Sequence, residues 1–227
     1  MRNKLGILCM ALGTVLLLAA LSLFVANRIE ENQAAEAVES LMPQIIARIE
    51  ENRQPSPETA APEPATEAVS DAPTAPETIP SPETTAAAAP SPLLSTEMAE
   101  AEIDGYGYIG YLALPTLNLA LPVMADWDYD RLKIAPCRYA GTTMTDDLVI
   151  AAHDYARHFG KLSTLSPGDA VTFTDMNGRA VLYTVVAVDI LPATAIAEMT
   201  AGAYDLTMFT CTYDGKSRVT VRCDRAE

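Results

Sequence analysis

A run of 22 uncharged and mostly apolar residues, 5–26, restricts how this chain can fold more than any other feature of the sequence. As a helix it spans ~33 Å, enough for the ~30 Å hydrocarbon core of a bilayer. Arg2 and Lys4 precede the run, whereas Arg28 is followed by two acidic residues. The positive-inside rule therefore predicts a transmembrane helix with a cytoplasmic N-terminus and everything after it extracellular. A cleaved signal peptide is the alternative, and residues 24–26 fit its cleavage site poorly.

The segment that follows this run cannot build a hydrophobic core. Residues 53–92 hold 10 of the 16 prolines and no aromatic residue. Residues 28–100 hold 14 of the 30 acidic but only 3 of the 15 basic residues, so much of the net charge of -15 lies outside any core. We predict a juxtamembrane helical segment at 27–52, interrupted by Pro43, and a disordered linker at 53–100 that acts as a spacer. The acidic balance excludes an unspecific nucleic-acid binder.

Residues 101–227 change to short apolar runs separated by turn residues, which is typical of an all-β domain. Strands are predicted at 108–114, 117–123, 148–152, 170–174, 180–190, 206–212 and 218–223. At least seven strands with little helix favour a closed or nearly closed barrel. The dipeptides Asn177-Gly178 and Asp214-Gly215 predict tight hairpin turns.

The second of these hairpins brings a cysteine next to an arginine. If Asp214 and Gly215 form the loop, paired positions sum to 429 and Cys211 lies opposite Arg218. Directly opposed residues have Cβ atoms ~4.5–5.5 Å apart on one face of the sheet. A neighbouring guanidinium stabilises the thiolate, which is the nucleophilic form of cysteine. The alternative is that Arg218 lies on the barrel exterior and Cys211 is a small core residue.

Both histidines of the chain follow the predicted strand 148–152. His153 lies where the strand ends and a polar loop begins, a position at which scaffolds commonly present catalytic groups. His158 is interpreted as a surface or packing residue. The sequence has neither Cys-x-x-Cys nor His-Glu-x-x-His spacing, so no metal site is predicted.

Three cysteines, Cys137, Cys211 and Cys223, lie beyond the apolar run. An oxidising exterior allows one disulfide and leaves one thiol over. Cys223 would pair with position 206, too far along the strand to be bonded to Cys211. By elimination, a possible disulfide joins Cys137 to Cys223 and leaves Cys211 free, and two buried thiols are the alternative.

An ordered set of motifs resembles the sortase family of cysteine transpeptidases. The segment 108–115 is similar to the family's opening strand, and 148–153 resembles the strand that ends in its histidine. Residues 207–211 read Thr-Met-Phe-Thr-Cys, like the family signature with Met in place of the usual Leu. Residues 218–221 resemble the last strand, which opens with the family's arginine. The order His, Thr-x-x-Thr-Cys, Arg at these separations is highly specific.

The resemblance implies an eight-stranded β-barrel with short helices and an extracellular active site that needs no cofactor. It assigns Cys211 as the nucleophile, His153 as the proton donor and acceptor and Arg218 as the oxyanion stabiliser, with Thr210 in support. Arg222 competes for the arginine role, but pairing with position 207 would put it away from the thiol.

The resemblance also implies partners and a location. The substrates would be secreted proteins with a C-terminal Leu-Pro-x-Thr-Gly-like sorting signal. The acceptor would be the amine of a peptidoglycan precursor similar to lipid II, as in surface display by Gram-positive cells. Two alternatives stay open: a membrane-anchored cysteine peptidase that uses water as acceptor, and a non-catalytic barrel that binds wall or peptide.

Overall fold

The structure is a computed structural model that describes residues 2–53 and 97–226, with side chains from residue 6 onward. Most of the predicted linker, residues 54–96, lies outside the described residues. The described helices are α1 (Arg2–Arg53), α2 (Tyr129–Leu132) and α3 (Ile196–Met199). The described strands are β1 (Ala101–Ile103), β2 (Tyr106–Leu114), β3 (Leu119–Met124), β4 (Cys137–Ala140), β5 (Leu148–Ala151), β6 (Ala170–Asp175), β7 (Ala180–Pro192), β8 (Leu206–Cys211) and β9 (Ser217–Arg225).

Eight strands close into a barrel in the order β2-β3-β4-β5-β8-β9-β7-β6, with β6 pairing back to β2. The short strand β1 adds to the first residues of β2. Neighbouring strands are antiparallel except for the parallel pairs β3–β4 and β5–β8. The predicted eight-stranded barrel is therefore confirmed. The unpredicted strands β1 and β4 are only 3 and 4 residues long, too short to show an alternating pattern.

Closure of the barrel depends on Gly110 in β2. The register between β2 and β3 shifts between Tyr108 and Gly110, and Gly110 has a φ of 145°. A Cβ atom at this position would overlap the carbonyl oxygen of Thr174 in β6. Only glycine accepts both this φ and this close approach, so Gly110 lets β2 change partners from β1 to β6.

Alternate residues of β5 and β8 face two different hydrophobic layers. In β5, Leu148 and Ile150 pack into the barrel core, whereas Val149 and Ala151 pack into an outer layer that includes residues of α1, α2 and β1. In β8, Met208 belongs to the barrel core and Phe209 to the outer layer. The outer face of β5 and β8 is thus covered by protein rather than by solvent.

Helix α1 runs without a break from Arg2 to Arg53, so the predicted interruption at Pro43 is wrong. The buried residues of its second half form one stripe, at positions Ala34, Val38, Leu41, Ile45 and Ile49. Pro43 is exposed and lies off this stripe. Packing of the stripe on the barrel holds the helix on both sides of the proline, which offsets the loss of one backbone hydrogen bond.

The first half of α1 is apolar and exposed. Large apolar side chains between Ile7 and Val25 are largely open to solvent. Within the described residues, one helix is long and apolar enough to cross a membrane, and it is this one, over Gly6–Arg53. The helix therefore combines an apolar segment suited to lipid with a segment that packs on the barrel.

The predicted disulfide between Cys137 and Cys223 is wrong, since both are buried free thiols. Cys137 packs in the outer layer and Cys223 in the barrel core. Their strands, β4 and β9, are separated by β5 and β8, which is three strand spacings of ~4.8 Å. A disulfide requires Cα atoms within ~7 Å. Burial raises the pKa of each thiol to about 12, which keeps both protonated.

Candidate active site

Strand register brings His153, which lies just beyond the end of β5, beside Cys211 of β8 and Arg218 of β9. The turn after β8 gives the predicted pairing, with Cys211 opposite Arg218 of β9. Strands β5 and β8 pair in parallel with a constant offset, from Leu148 opposite Leu206 to Ala151 opposite Phe209. The same offset continued by two residues brings His153 level with Cys211, one strand spacing of ~4.8 Å away.

Thr210 extends this register beyond the last paired residue of β5. Its hydroxyl is buried and donates a 2.8 Å hydrogen bond to the carbonyl oxygen of Ala152. The backbone N–H of Ala152 in turn donates to the carbonyl oxygen of Phe209 at 3.2 Å. The ends of β5 and β8 are therefore tied together directly beneath His153 and Cys211.

The three side chains line one cavity of about 220 Å³ on the outer face of the barrel. Its other walls are mostly apolar and come from the segment around α2, from β4, β8 and from α3: Trp127, Tyr129, Leu132, Tyr139, Ile196, Met199 and Phe209. Aromatic contacts run along one wall, with ring centroids 5.0 Å apart for Trp127 and Tyr139 and 5.2 Å for Tyr139 and Phe209. Such a cavity suits an apolar peptide segment and limits access of water to Cys211.

The guanidinium of Arg218 is held by its own hairpin. Its Nη1 donates to the carbonyl oxygens of Gly215 at 3.2 Å and Ser217 at 3.0 Å. Among the described ion pairs none involves Arg218, so no carboxylate neutralises this cation within that part of the chain. Its remaining N–H groups are free to serve another acceptor in the cavity beside Cys211.

His153 lies in a partly buried environment. Its ring stacks on the ring of Tyr155, with centroids 4.7 Å apart, and its Nε2 is buried without a hydrogen-bond partner among the described residues. Burial lowers the pKa of His153 below its usual value, and the carboxylates of Asp154 and Glu30 act against this shift. At neutral pH the neutral imidazole therefore predominates.

His158 is fully buried, which confirms a packing role and excludes a surface one. Its ring lies 5.5 Å from the ring of Tyr155, and neither ring nitrogen has a hydrogen-bond partner within the described chain. Burial, together with the nearby His153, lowers the pKa of His158 to about 4. The residue supports the loop that carries His153 and stays uncharged.

This burial predicts an acid-sensitive fold. The unfolded chain binds a proton on His158 near pH 6.5 and the folded chain only near pH 4, so stability falls as the pH drops through this window. At pH 4.5 the loss from this one group is about 2–3 kcal/mol relative to pH 7. The free energy of unfolding of residues 27–227 is measured with urea at pH 7 and pH 4.5. Between these pH values His158→Leu should lose about that amount less stability than the wild type. An equal pH dependence of both proteins would contradict the assignment.

Arg222 has a structural position, in line with the predicted pairing to position 207. The side chain is buried, and its Nη2 donates to the carbonyl oxygen of Glu198 at 2.9 Å while Nη1 donates to Thr207 Oγ1 at 3.1 Å. Arg222 therefore holds α3, which carries Ile196 and Met199 of the cavity wall, and does not itself line the cavity.

Sequence reasoning did not identify the aromatic wall or the contribution of α1. Trp127 lies in a loop, Tyr129 is the first residue of the short helix α2, and Tyr139 lies in the short unpredicted strand β4. The pair Trp-x-Tyr in an otherwise polar segment was the available signal, since exposed aromatic residues often mark binding sites. No group of three or more His, Cys, Asp or Glu side chains suited to a metal ion occurs within the described residues.

The fold and the cavity define a class of protein: a closed β-barrel that presents a cysteine, a histidine and an arginine together on its outer face. The family model described as the sortase domain matches residues 112–226, slightly more than half of the chain. The chain therefore belongs to the sortase family. No curated protein sequence matches it.

Solved sortase structures are similar to the chain at low identity. Sortase A from Corynebacterium diphtheriae is 22% identical with a TM-score of 0.49, and the match covers 54% of this chain and 62% of that protein. Sortase C1 from Streptococcus suis is 26% identical with a TM-score of 0.47, and the match covers 53% and 73%. Clostridium perfringens sortase C, solved with the C-terminal cell wall sorting motif, is 22% identical with a TM-score of 0.47, and the match covers 53% and 71%.

Proposed function

We propose that this protein is a membrane-anchored cysteine transpeptidase. It cleaves a C-terminal sorting signal of the Leu-Pro-x-Thr-Gly type and joins the released carbonyl to the amine of a peptidoglycan precursor. The observation that supports this proposal best is the register of β5, β8 and β9, which aligns His153, Cys211 and Arg218 along one cavity wall. Membership of the sortase family supports the choice of substrate and acceptor.

In the first half of the reaction, the thiol of Cys211 gives its proton to the neutral imidazole of His153, and the resulting thiolate attacks the scissile carbonyl carbon to form a tetrahedral intermediate. The N–H groups of Arg218 donate to the oxyanion, where fixed donors stabilise charge most effectively. As the C–N bond breaks, the His153 imidazolium gives its proton to the departing amine. A thioester on Cys211 and a neutral His153 remain.

In the second half, the acceptor amine attacks the thioester and His153 removes its proton. The C–S bond breaks, the thiolate of Cys211 returns, and a new amide is the product.

We propose that the apolar segment of α1 anchors the enzyme, with residues 1–4 in the cytoplasm and the barrel outside the cell. The exposed apolar side chains of this segment and the basic residues before it support this orientation. Because the second half of α1 packs on the barrel, residues 27–227 rather than 101–227 are the suitable soluble form for assays.

A peptide-ligation assay tests the proposed function. Residues 27–227 are incubated with a quenched fluorescent library of Leu-Pro-x-Thr-Gly peptides, with and without triglycine as the amine probe. We expect cleavage at one bond, and a ligated product that replaces the free acid as triglycine increases. If the free acid forms at the same rate with and without triglycine, the protein is a peptidase. If no peptide is cleaved, the non-catalytic barrel is the better account.

A further inference from the structure

The second half of α1 is fixed to the barrel at both of its ends. Near its start, the carboxylate of Glu31 accepts a 3.1 Å hydrogen bond from the backbone N–H of Ala156, and Glu39 pairs with Arg157 at 3.2 Å. Near its end, Asn52 Nδ2 donates a 2.9 Å hydrogen bond to the carbonyl oxygen of Met176 in the turn between β6 and β7. Together with the buried stripe between them, these contacts dock the barrel along α1.

The catalytic end of the barrel lies beside the start of this docked segment. Tyr155 donates from its hydroxyl to Glu30 Oε2 at 3.5 Å, and its ring stacks on His153 at 4.7 Å. The loop that carries the proposed catalytic histidine therefore contacts α1 only a few residues beyond the end of its apolar segment. The turn between β6 and β7 contacts α1 more than twenty residues later in the helix.

The rise per residue of α1 gives the height of each contact above the hydrocarbon core of the bilayer. Glu30 lies four positions after Ala26, the last residue of the apolar run, which is a rise of ~6 Å along the helix. The headgroup layer on each side of the hydrocarbon core is roughly 5–7 Å thick. Glu30 and the His153 loop therefore lie at the level of the headgroups, and a helix tilt of ~20° changes the rise by less than about a tenth. Asn52 lies ~40 Å above Ala26 on the same scale.

The cavity rim around α2 has the composition of a membrane-interface surface. Trp127 and Tyr129 line the cavity and are 40% and 74% exposed, and such aromatic residues favour the headgroup region. The hydrogen bond that Lys133 donates to Asp130 is the main cause that raises the pKa of its ammonium group, and Glu30 of α1 lies near enough for its carboxylate to add to this shift.

The acidic residues of this rim are paired. Arg131 contacts Asp126 at 3.3 Å and Asp128 at 3.1 Å. Lys133 contacts Asp130 at 2.9 Å. These ion pairs offset most of the negative charge that would otherwise oppose an approach to anionic lipid headgroups.

We infer that α1 sets the height of the catalytic cavity and holds the rim of Trp127, Tyr129 and Lys133 against the lipid headgroup layer, which is the partner of this surface. The inference rests on the proposed function, in which α1 spans the membrane. The linker that follows Arg53 then does not determine how far the cavity lies from the bilayer, contrary to the spacer role predicted from its composition. The reactive peptide bond must accordingly lie close to the substrate's own membrane-spanning segment.

Trp127 is the only tryptophan of the chain, so its fluorescence reports the height of the rim without any assay of activity. The full chain is placed in vesicles that contain a dansyl-headgroup lipid, and energy transfer from Trp127 is measured. Seven helix-forming residues inserted between Asn27 and Arg28 raise the docked barrel by ~10 Å, or two turns. The matched control deletes residues 60–79 from the linker. We expect strong transfer that the insertion reduces at least twofold and that the deletion leaves unchanged.

Activity gives a second readout that separates this inference from the proposed function. A substrate with the sorting motif directly before its own apolar span should be processed at least about 10-fold more slowly by the insertion variant, because the reactive groups no longer meet. A soluble motif peptide should be processed equally by both proteins. Energy transfer that is unchanged by the insertion, or that changes with the linker deletion, would overturn the inference. No turnover of the soluble peptide would instead overturn the proposed function and leave the height measurement valid.

Discussion

Replacement of Cys211 by alanine is expected to abolish transpeptidation, with a fall in kcat/KM of about 10⁴-fold or more. Loss of the nucleophile in an acyl-transfer site costs about 10⁴–10⁶-fold, because no other group forms the covalent intermediate. Cys211 is only partly buried, whereas Cys137 and Cys223 are buried thiols whose raised pKa keeps them unreactive. The measurement is the rate of ligation of a sorting-motif peptide to triglycine.

Cys9→Ala in the full-length chain is the matched control, since it removes an exposed thiol from the apolar segment of α1. It should keep the wild-type rate. The circular dichroism spectrum and unfolding midpoint of Cys211→Ala should also stay close to those of the wild type. Ligation by Cys211→Ala within tenfold of the wild-type rate would rule out this cysteine as the nucleophile.

Arg218→Gln is expected to lower kcat by about 10²–10³-fold with little change in KM. The loss corresponds to removal of one fixed donor to the oxyanion, which matters in the transition state and not in the bound peptide. Arg218→Lys should recover only part of the rate, because an ammonium group keeps the charge but loses the planar set of donors that is anchored on Gly215 and Ser217. Steady-state kinetics with the preferred motif peptide measure both effects.

Lys216→Gln provides the control for charge on this hairpin, because Lys216 is exposed and lies two residues from Arg218. Its kcat should stay within about twofold of the wild type, since an exposed charge interacts through water, where the Coulomb energy is small. A rise in KM with unchanged kcat for Arg218→Gln would show that Arg218 binds the substrate rather than the transition state.

The central part of the candidate site was predictable because its determinants are local. The turn between β8 and β9 is longer than the predicted two-residue loop, since the Thr212 N–H bonds to the carbonyl oxygen of Ser217, but it has the same centre, so the pairing of Cys211 with Arg218 predicted from the sequence is confirmed. The end of an apolar strand likewise marked His153. Most strands of the barrel were also predictable, because they are long and are separated by strong turn signals.

Features that depend on distant packing were not predictable. The course of α1 through Pro43 depends on a barrel surface encoded more than fifty residues later in the chain. The wrong disulfide prediction for Cys137 and Cys223 has the same origin. Cys137 lies on strand β4, which was not predicted, and packs in the outer layer, whereas Cys223 packs in the barrel core. The aromatic wall was missed because loops and short strands assemble it only after the barrel closes.

Mass spectrometry, of the intact protein and after digestion, shows whether Cys211 forms a covalent acyl-enzyme. Residues 27–227 are mixed with the motif peptide without an amine, quenched in acid, digested and analysed. We expect a mass increase equal to the acyl group of the peptide's N-terminal fragment, located on the digestion product that contains Cys211 and released by triglycine as a ligated product. Cleavage without any covalent adduct, or an adduct on a cysteine other than Cys211, would contradict it.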